Sequence, residues 1–150
     1  MRLRELKVTY EATNAPALFP QLKDPSDAAR YFHTLLRDEP IEVGIVLCLS
    51  AKHHVLCWHE LSRGTVQQTL VHPREVFKAA FLSNATCIVL GHNHPSGDPT
   101  PSPEDGMLTR RLKDAGELLG VELVDSIIVG DEDRYFSFRE TGHMPERSSS

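Results

Sequence analysis

His92 and His94 are separated by one residue. In an extended backbone, residues two apart project to the same side, so the two imidazoles can converge on one point. Imidazole nitrogens bind transition metals. Zinc takes a third protein ligand and, where it is catalytic, keeps a fourth position for water. Asp105 is a good third ligand, because it stands in the first turn of a helical pattern from which the loop can fold it back toward the histidines. Pro95, Gly97, Pro99, Pro101 and Pro103 stiffen that loop. Ser102-Pro103-Glu104-Asp105 also fits a helix start on its own, with a serine N-cap, a proline next and an acid three on. Ser102 and Asp105 can therefore cap the helix and serve the site together.

These residues need a strand before them and a helix after them. Cys87-Ile88-Val89-Leu90 is a short apolar run, and Thr86 to Leu90 reads as a buried strand. Pro103 to Leu119 reads as a long helix with Leu108, Leu112, Ala115 and Leu119 at helical spacing, and Gly120 is its natural C-cap. Val121 to Val129 is the next strand. Strand, helix, strand implies a parallel pair joined by a right-handed crossover, and ligand sites in such sheets lie beyond the carboxyl ends of the strands. The His92 loop leaves the sheet at such a point.

Upstream, Asp24-Pro25-Ser26-Asp27 signals a helix start, with Ala28, Tyr31, Phe32, Leu35 and Leu36 on its apolar face and Pro40 after its end. Val43 to Leu49 is apolar on both faces, as in a central strand. Val55 to Leu61 follows after a turn at Lys52-His53-His54, as the second arm of a hairpin, and Arg63-Gly64-Thr65 breaks it. Thr69-Leu70-Val71 reads as a short strand. Pro73 opens a helix through Leu82, with Val76, Phe77, Ala80 and Phe81 on one face. Gly130 to Asp133 is a turn, and Tyr135 to Phe138 a last strand. The expected class is α/β, a mixed β-sheet with helices packed on it. Residues 1–23 form an N-terminal arm in which Leu6 to Tyr10 reads as a short strand. Residues 24–142 form the domain, and 143–150 a polar tail expected to be disordered.

A chain of 150 residues with 40% apolar and 25% charged residues has the composition of one soluble globular domain. A net charge of −5 is not that of a protein that holds nucleic acid over its whole surface. Cys48, Cys57 and Cys87 are odd in number, far apart in sequence and set among apolar residues, which suits reduced thiols in a reducing compartment. No stretch approaches the length of a membrane span, and the N-terminus has no apolar leader. The expected location is cytoplasmic, with no membrane partner. His53, His54 and His59 read as surface or half-buried histidines, and Arg110, Arg111 and Lys113 as a solvated helix face.

His92-x-His94-x7-Ser102-x2-Asp105 matches the JAMM (MPN+, JAB) metalloprotease motif without gaps. The run His92-Asn93-His94-Pro95-Ser96-Gly97-Asp98-Pro99 with Pro101-Ser102 resembles the bacterial RadC branch of that superfamily. So do Pro73-Arg74-Glu75-Val76, Thr109-Arg110-Arg111-Leu112, Ala115 to Gly120, Ile127-Ile128-Val129-Gly130 and Phe136-Ser137-Phe138. The resemblance covers about residues 25–142.

The resemblance implies an MPN/JAB-like, three-layer fold related to that of cytidine deaminases. It implies Zn2+ held by His92, His94 and Asp105, with a glutamate on an earlier strand as general acid and base. Glu42, just before Val43 to Leu49, is the matching position; Glu39 and Glu60 compete for it. Ser102 would hydrogen-bond the attacking water or the developing oxyanion. The implied activity is zinc-dependent hydrolysis of peptide or isopeptide-like amides in a peptide or protein substrate. Two rival readings stand beside it: a DNA repair or anti-restriction accessory that contacts nucleic acid, and a non-catalytic zinc-binding interaction module. Two departures stand out. Longer RadC proteins carry an N-terminal helix-hairpin-helix region where this chain has about two dozen residues. Many relatives carry Asp-His where this chain has Asp125-Ser126.

Overall fold

The computed structural model describes residues 1–13, 20–64 and 71–146. Its elements run α1 (Pro25–Leu36), β1 (Glu42–Leu49), β2 (Val55–Gly64), α2 (Pro73–Leu82), β3 (Cys87–Asn93), α3 (Pro103–Leu119), β4 (Glu122–Val129) and β5 (Tyr135–Ser137). The strands form one mixed sheet in the order β2-β1-β3-β4-β5. Only β3 and β4 are parallel, as their crossover through α3 requires; the other neighbours are antiparallel. The expected α/β class holds, with helices on both sides of the sheet making three layers.

Strand alternation sorts the core into two halves. Val46, Cys48, Ile88, Leu90 and Leu123 face α2 and α3, where they meet Val76, Phe77, Leu108 and Leu112. Ile45, Leu47, Leu49, Val89 and Ile127 face α1, where they meet Ala28, Ala29 and Phe32. This double burial explains why β1 and β3 read as unbroken apolar runs. Asp24 caps α1 and Ser102 caps α3, each in a reciprocal capping box with the acid at the third helical position. Gly120 ends α3 at φ 75°, a left-handed conformation that glycine adopts without strain.

Several expectations are corrected. Leu6 to Tyr10 forms no strand; residues 1–13 carry no regular secondary structure and are exposed. β2 does not break at Arg63 but runs through Gly64, because it stays paired with β1 as far as Glu42. β3 runs past Leu90 through His92, paired with both β1 and β4, and Asn93, paired with β4. Phe81 and Leu119 are exposed rather than buried, since each lies at the solvent side of its helix's last turn. His143 and Met144 both donate backbone N–H groups to the Phe138 carbonyl, and Met144 packs against the core, so these two residues of the expected tail are held to the domain. Of the short strand expected at residues 69–71, Thr69 and Leu70 lie outside the described residues, as do residues 147–150, and Val71 joins no strand. Among the described residues no helix is long and apolar enough to cross a membrane.

The contact that seats α1 over the site strand is Phe32 on Gly91. A β-carbon at Gly91 would lie 2.2 Å from the Phe32 ring. Gly91→Ala should therefore cost about 1–3 kcal/mol by overpacking. Adding Phe32→Leu should recover part of that loss, read as the shift in urea midpoint across the double-mutant cycle.

Candidate metal centre

β3 ends in His92-Asn93, His94 follows directly, and α3 begins beside them. His92 Nε2 and His94 Nε2 lie 3.2 Å apart. The Asp105 carboxylate spans both, with Oδ1 3.2 Å from His92 Nε2 and Oδ2 3.3 Å from His94 Nε2. A tetrahedral ion with bonds of about 2.0–2.1 Å sets its ligand atoms about 3.3 Å apart. The three donor groups therefore stand at the spacing of one face of such a shell. Glu42 approaches from the neighbouring strand, its Oε1 3.7 Å from His94 Nε2. Glu42, His92 and His94 offer ligand atoms all within 4.8 Å of one another, a group that could bind a metal ion. Asp105 is nearer to both rings than Glu42 is to His94, and it is 4% exposed against 28% for the Glu42 side chain.

Local structure dictates this convergence. His92 lies in the ladder opposite Gly44 of β1 and Ile128 of β4. His94 lies just past the strand, where its N–H still bonds the Val129 carbonyl at 3.0 Å. Its Nδ1 meets the Asp98 carbonyl at 2.9 Å. A carbonyl only accepts, so Nδ1 carries the hydrogen and Nε2 presents a lone pair inward when the ring is neutral. The capping box holds Asp105: Ser102 N–H donates to its Oδ2 at 2.8 Å, and Ser102 Oγ accepts from its N–H at 3.2 Å. The Ser102 hydroxyl hydrogen is not used by that cap.

The charges are mutually supported. Burial works to raise the Asp105 pKa, but hydrogen bonds from His92 and His94 outweigh it and hold the carboxyl well below the usual range. The same carboxylate raises the His94 pKa against the opposing effect of burial.

Of the three glutamates expected to compete, Glu42 alone is seen at the histidines. Glu39 and Glu60 both pair with Arg63, at 2.8 Å and 2.6 Å. What positions Glu42 was not found from the sequence. Asn93 points to the face opposite its flanking histidines. Its Oδ1 accepts from Val43 N–H at 2.7 Å, and its Nδ2 donates to the Ile41 carbonyl at 3.0 Å. One side chain on the ligand strand thus grips the backbone on both sides of Glu42. The available signal was a polar residue in a run otherwise buried on both faces.

A second hold lies in the β4–β5 turn. Gly97 O accepts from Asp131 N at 3.0 Å and from Arg134 at 2.8 Å. A β-carbon on Gly130 would lie 2.2 Å from that same oxygen. At the departure noted above, Asp125 is buried and accepts from Ser126 N, Arg139 N and the Ser137 hydroxyl. Ser126 pairs with Leu90, one inward-facing position down the ladder from the Ile128–His92 pair.

Comparison with known families decides the class. The RadC-like JAB domain matches residues 22–143. The chain belongs to that family. A UPF0758 protein of Desulfitobacterium hafniense is 44% identical over 143 residues, covering 92% of this chain and 63% of the relative. A UPF0758 protein of Thermotoga maritima is 52% identical over 103 residues, covering 69% of this chain and 46% of the relative. One from Pelobacter propionicus is 48% identical over 118 residues, 79% of this chain and 51% of the relative. This RadC-like JAB chain spans between about half and two-thirds of the length of the curated relatives it matches.

Two measurements check this geometry. A metal must displace the His94 proton, and the His94 pKa lies above its ordinary 6.5. Affinity for cobalt(II), followed by absorbance, should therefore fall as pH drops through that raised value, by about tenfold per pH unit for each proton displaced. Asn93→Leu strands the Val43 N–H and the Ile41 carbonyl, and should cost about 1–3 kcal/mol for each group left unpaired, measured by denaturant unfolding.

Proposed function

We propose that this chain is a zinc-dependent hydrolase of peptide or isopeptide-like amide bonds, with His92, His94 and Asp105 as metal ligands. The observation that carries the reading is the convergence of two Nε2 atoms and one carboxylate at 3.2–3.3 Å, with a second carboxylate, that of Glu42, 3.7 Å from His94 Nε2. Two imidazoles and one carboxylate form a ligand set found in catalytic zinc sites. Bound there, zinc supplies Lewis acidity and lowers the pKa of water to about 7.

The chain's own groups do the rest. Glu42, partly exposed beside His94, takes a proton from the attacking water and returns it to the leaving amine. The Ser102 hydroxyl, whose oxygen already serves the helix cap, donates its hydrogen to the substrate oxygen as charge develops there. Asn93 holds the Glu42 backbone, so the base keeps its place through the proton transfers. His94, fixed through Nδ1 by the Asp98 carbonyl, keeps the tautomer that a ligand needs. Family membership supports the reading but names no substrate, and the relatives are longer than this chain.

The test pairs metal analysis with a screen on peptide and isopeptide libraries. His92→Ala with His94→Ala should abolish stoichiometric zinc; metal retained in that double variant would overturn the ligand assignment. Glu42→Gln should keep its zinc and lose about 10²–10⁴-fold in turnover. Turnover at the unsubstituted rate would remove Glu42 as the base.

A further inference from the structure

The three cysteines, spaced like isolated thiols in the sequence, are not isolated in the fold. Cys48 on β1 and Cys57 on β2 are direct partners in the antiparallel ladder, and all three thiols are free. Direct partners in such a ladder have Cα atoms about 4.5 or 5.5 Å apart, depending on ladder position. A disulfide spans Cα separations of about 4.4–6.8 Å, so at either position the Cα spacing falls within the range the bond takes. Partners across a ladder also share a face: Cys48 belongs to the core half under α2 and α3, and Cys57 packs against it. Cys48 is fully buried and Cys57 half-buried. Cys87 lies in the other half of the core, under α1, with its Sγ 3.2 Å from the Ser50 carbonyl.

We propose that Cys48 and Cys57 form an oxidisable dithiol, a modification site whose co-reactant is a small-molecule disulfide of the glutathione class. This goes beyond the hydrolase reading and does not depend on it. The pair divides the labour. Hydrogen bonding from the Cys48 thiol lowers the pKa of the Cys57 thiol against the effect of burial. The same contact, with burial, pushes the Cys48 thiol up. Cys57, half-buried where Cys48 is fully buried, is the thiol a small disulfide can reach, so it supplies the attacking thiolate and Cys48 acts in the second step.

The exchange balances. The Cys57 thiolate attacks one sulfur of the small disulfide, forming a mixed disulfide and releasing one small thiolate, which takes a proton from water. Cys48 then attacks the Cys57 sulfur and expels the second small thiolate, which takes up the Cys48 proton. One small disulfide is reduced to two small thiols, and the two protein thiols become one disulfide. The new bond would lie near the end of β1 opposite Glu42, so oxidation staples β1 to β2 without touching a metal ligand.

The test treats the reduced full chain, under native conditions at neutral pH, with oxidised glutathione and reads intact mass and disulfide-linked peptides. The expected product has lost two hydrogens, carries no glutathione and yields a peptide joining residues 48 and 57. Cys48→Ala should instead retain one glutathione on Cys57, and Cys57→Ala should leave both remaining thiols unmodified. The proposal is overturned if the unsubstituted chain does not react, keeps glutathione on Cys57, or forms its bond through Cys87.

Discussion

A carboxylate buried to 4% exposure is the constraint from which the rest of this site follows. Removing an ion from water costs several kcal/mol unless partners replace the lost hydration. Asp105 finds them on three sides: two imidazoles, the Ser102 backbone N–H and the start of α3, where the helix dipole favours negative charge. The same group must cap a helix and face two histidines, so α3 has to begin where β3 ends. The proline-rich loop between them needs little freedom, because both of its ends are fixed by secondary structure.

The strand that carries the histidines serves two masters. Alternation sends His92 toward α3 and Asn93 toward the segment that leads into β1. One strand end thereby presents candidate ligands on one face and braces a candidate base on the other. The loop beyond it is fixed through Gly97, which the β4–β5 turn grips at its carbonyl and which Gly130 lets approach by having no side chain. Elements distant in sequence thus meet within a small volume around His94.

Much of this was legible in the sequence, for identifiable reasons. α2 and α3 begin at the prolines and end at the leucines expected, since proline at the first helical turn and capping residues are local signals. The convergence of His92, His94 and Asp105 was legible from one spacing and one helix start. Glu42 is different: fifty residues separate it from His92, and its approach depends on the register between β1 and β3, which no local pattern encodes. The same holds for Asn93, a loop-like residue by type, and for the Cys48–Cys57 pairing, which depends on the bulged register of β1 against β2. Leu6 to Tyr10 misled in the opposite direction. Alternation suggested a strand, but a strand needs a neighbour, and none pairs with it among the described residues.

The grip of Asn93 on Val43 and Ile41 bears on how this centre could be transplanted. Copying His92, His94 and Asp105 into another sheet would carry over the candidate ligands and leave the placing of the candidate base, Glu42, to chance. The smallest portable unit is an antiparallel pair of strands in one register, with the amide between the histidines acting as its clasp and a capped helix supplying the carboxylate. A scaffold offering only a strand and a helix would carry the candidate ligands and have nowhere to anchor Glu42.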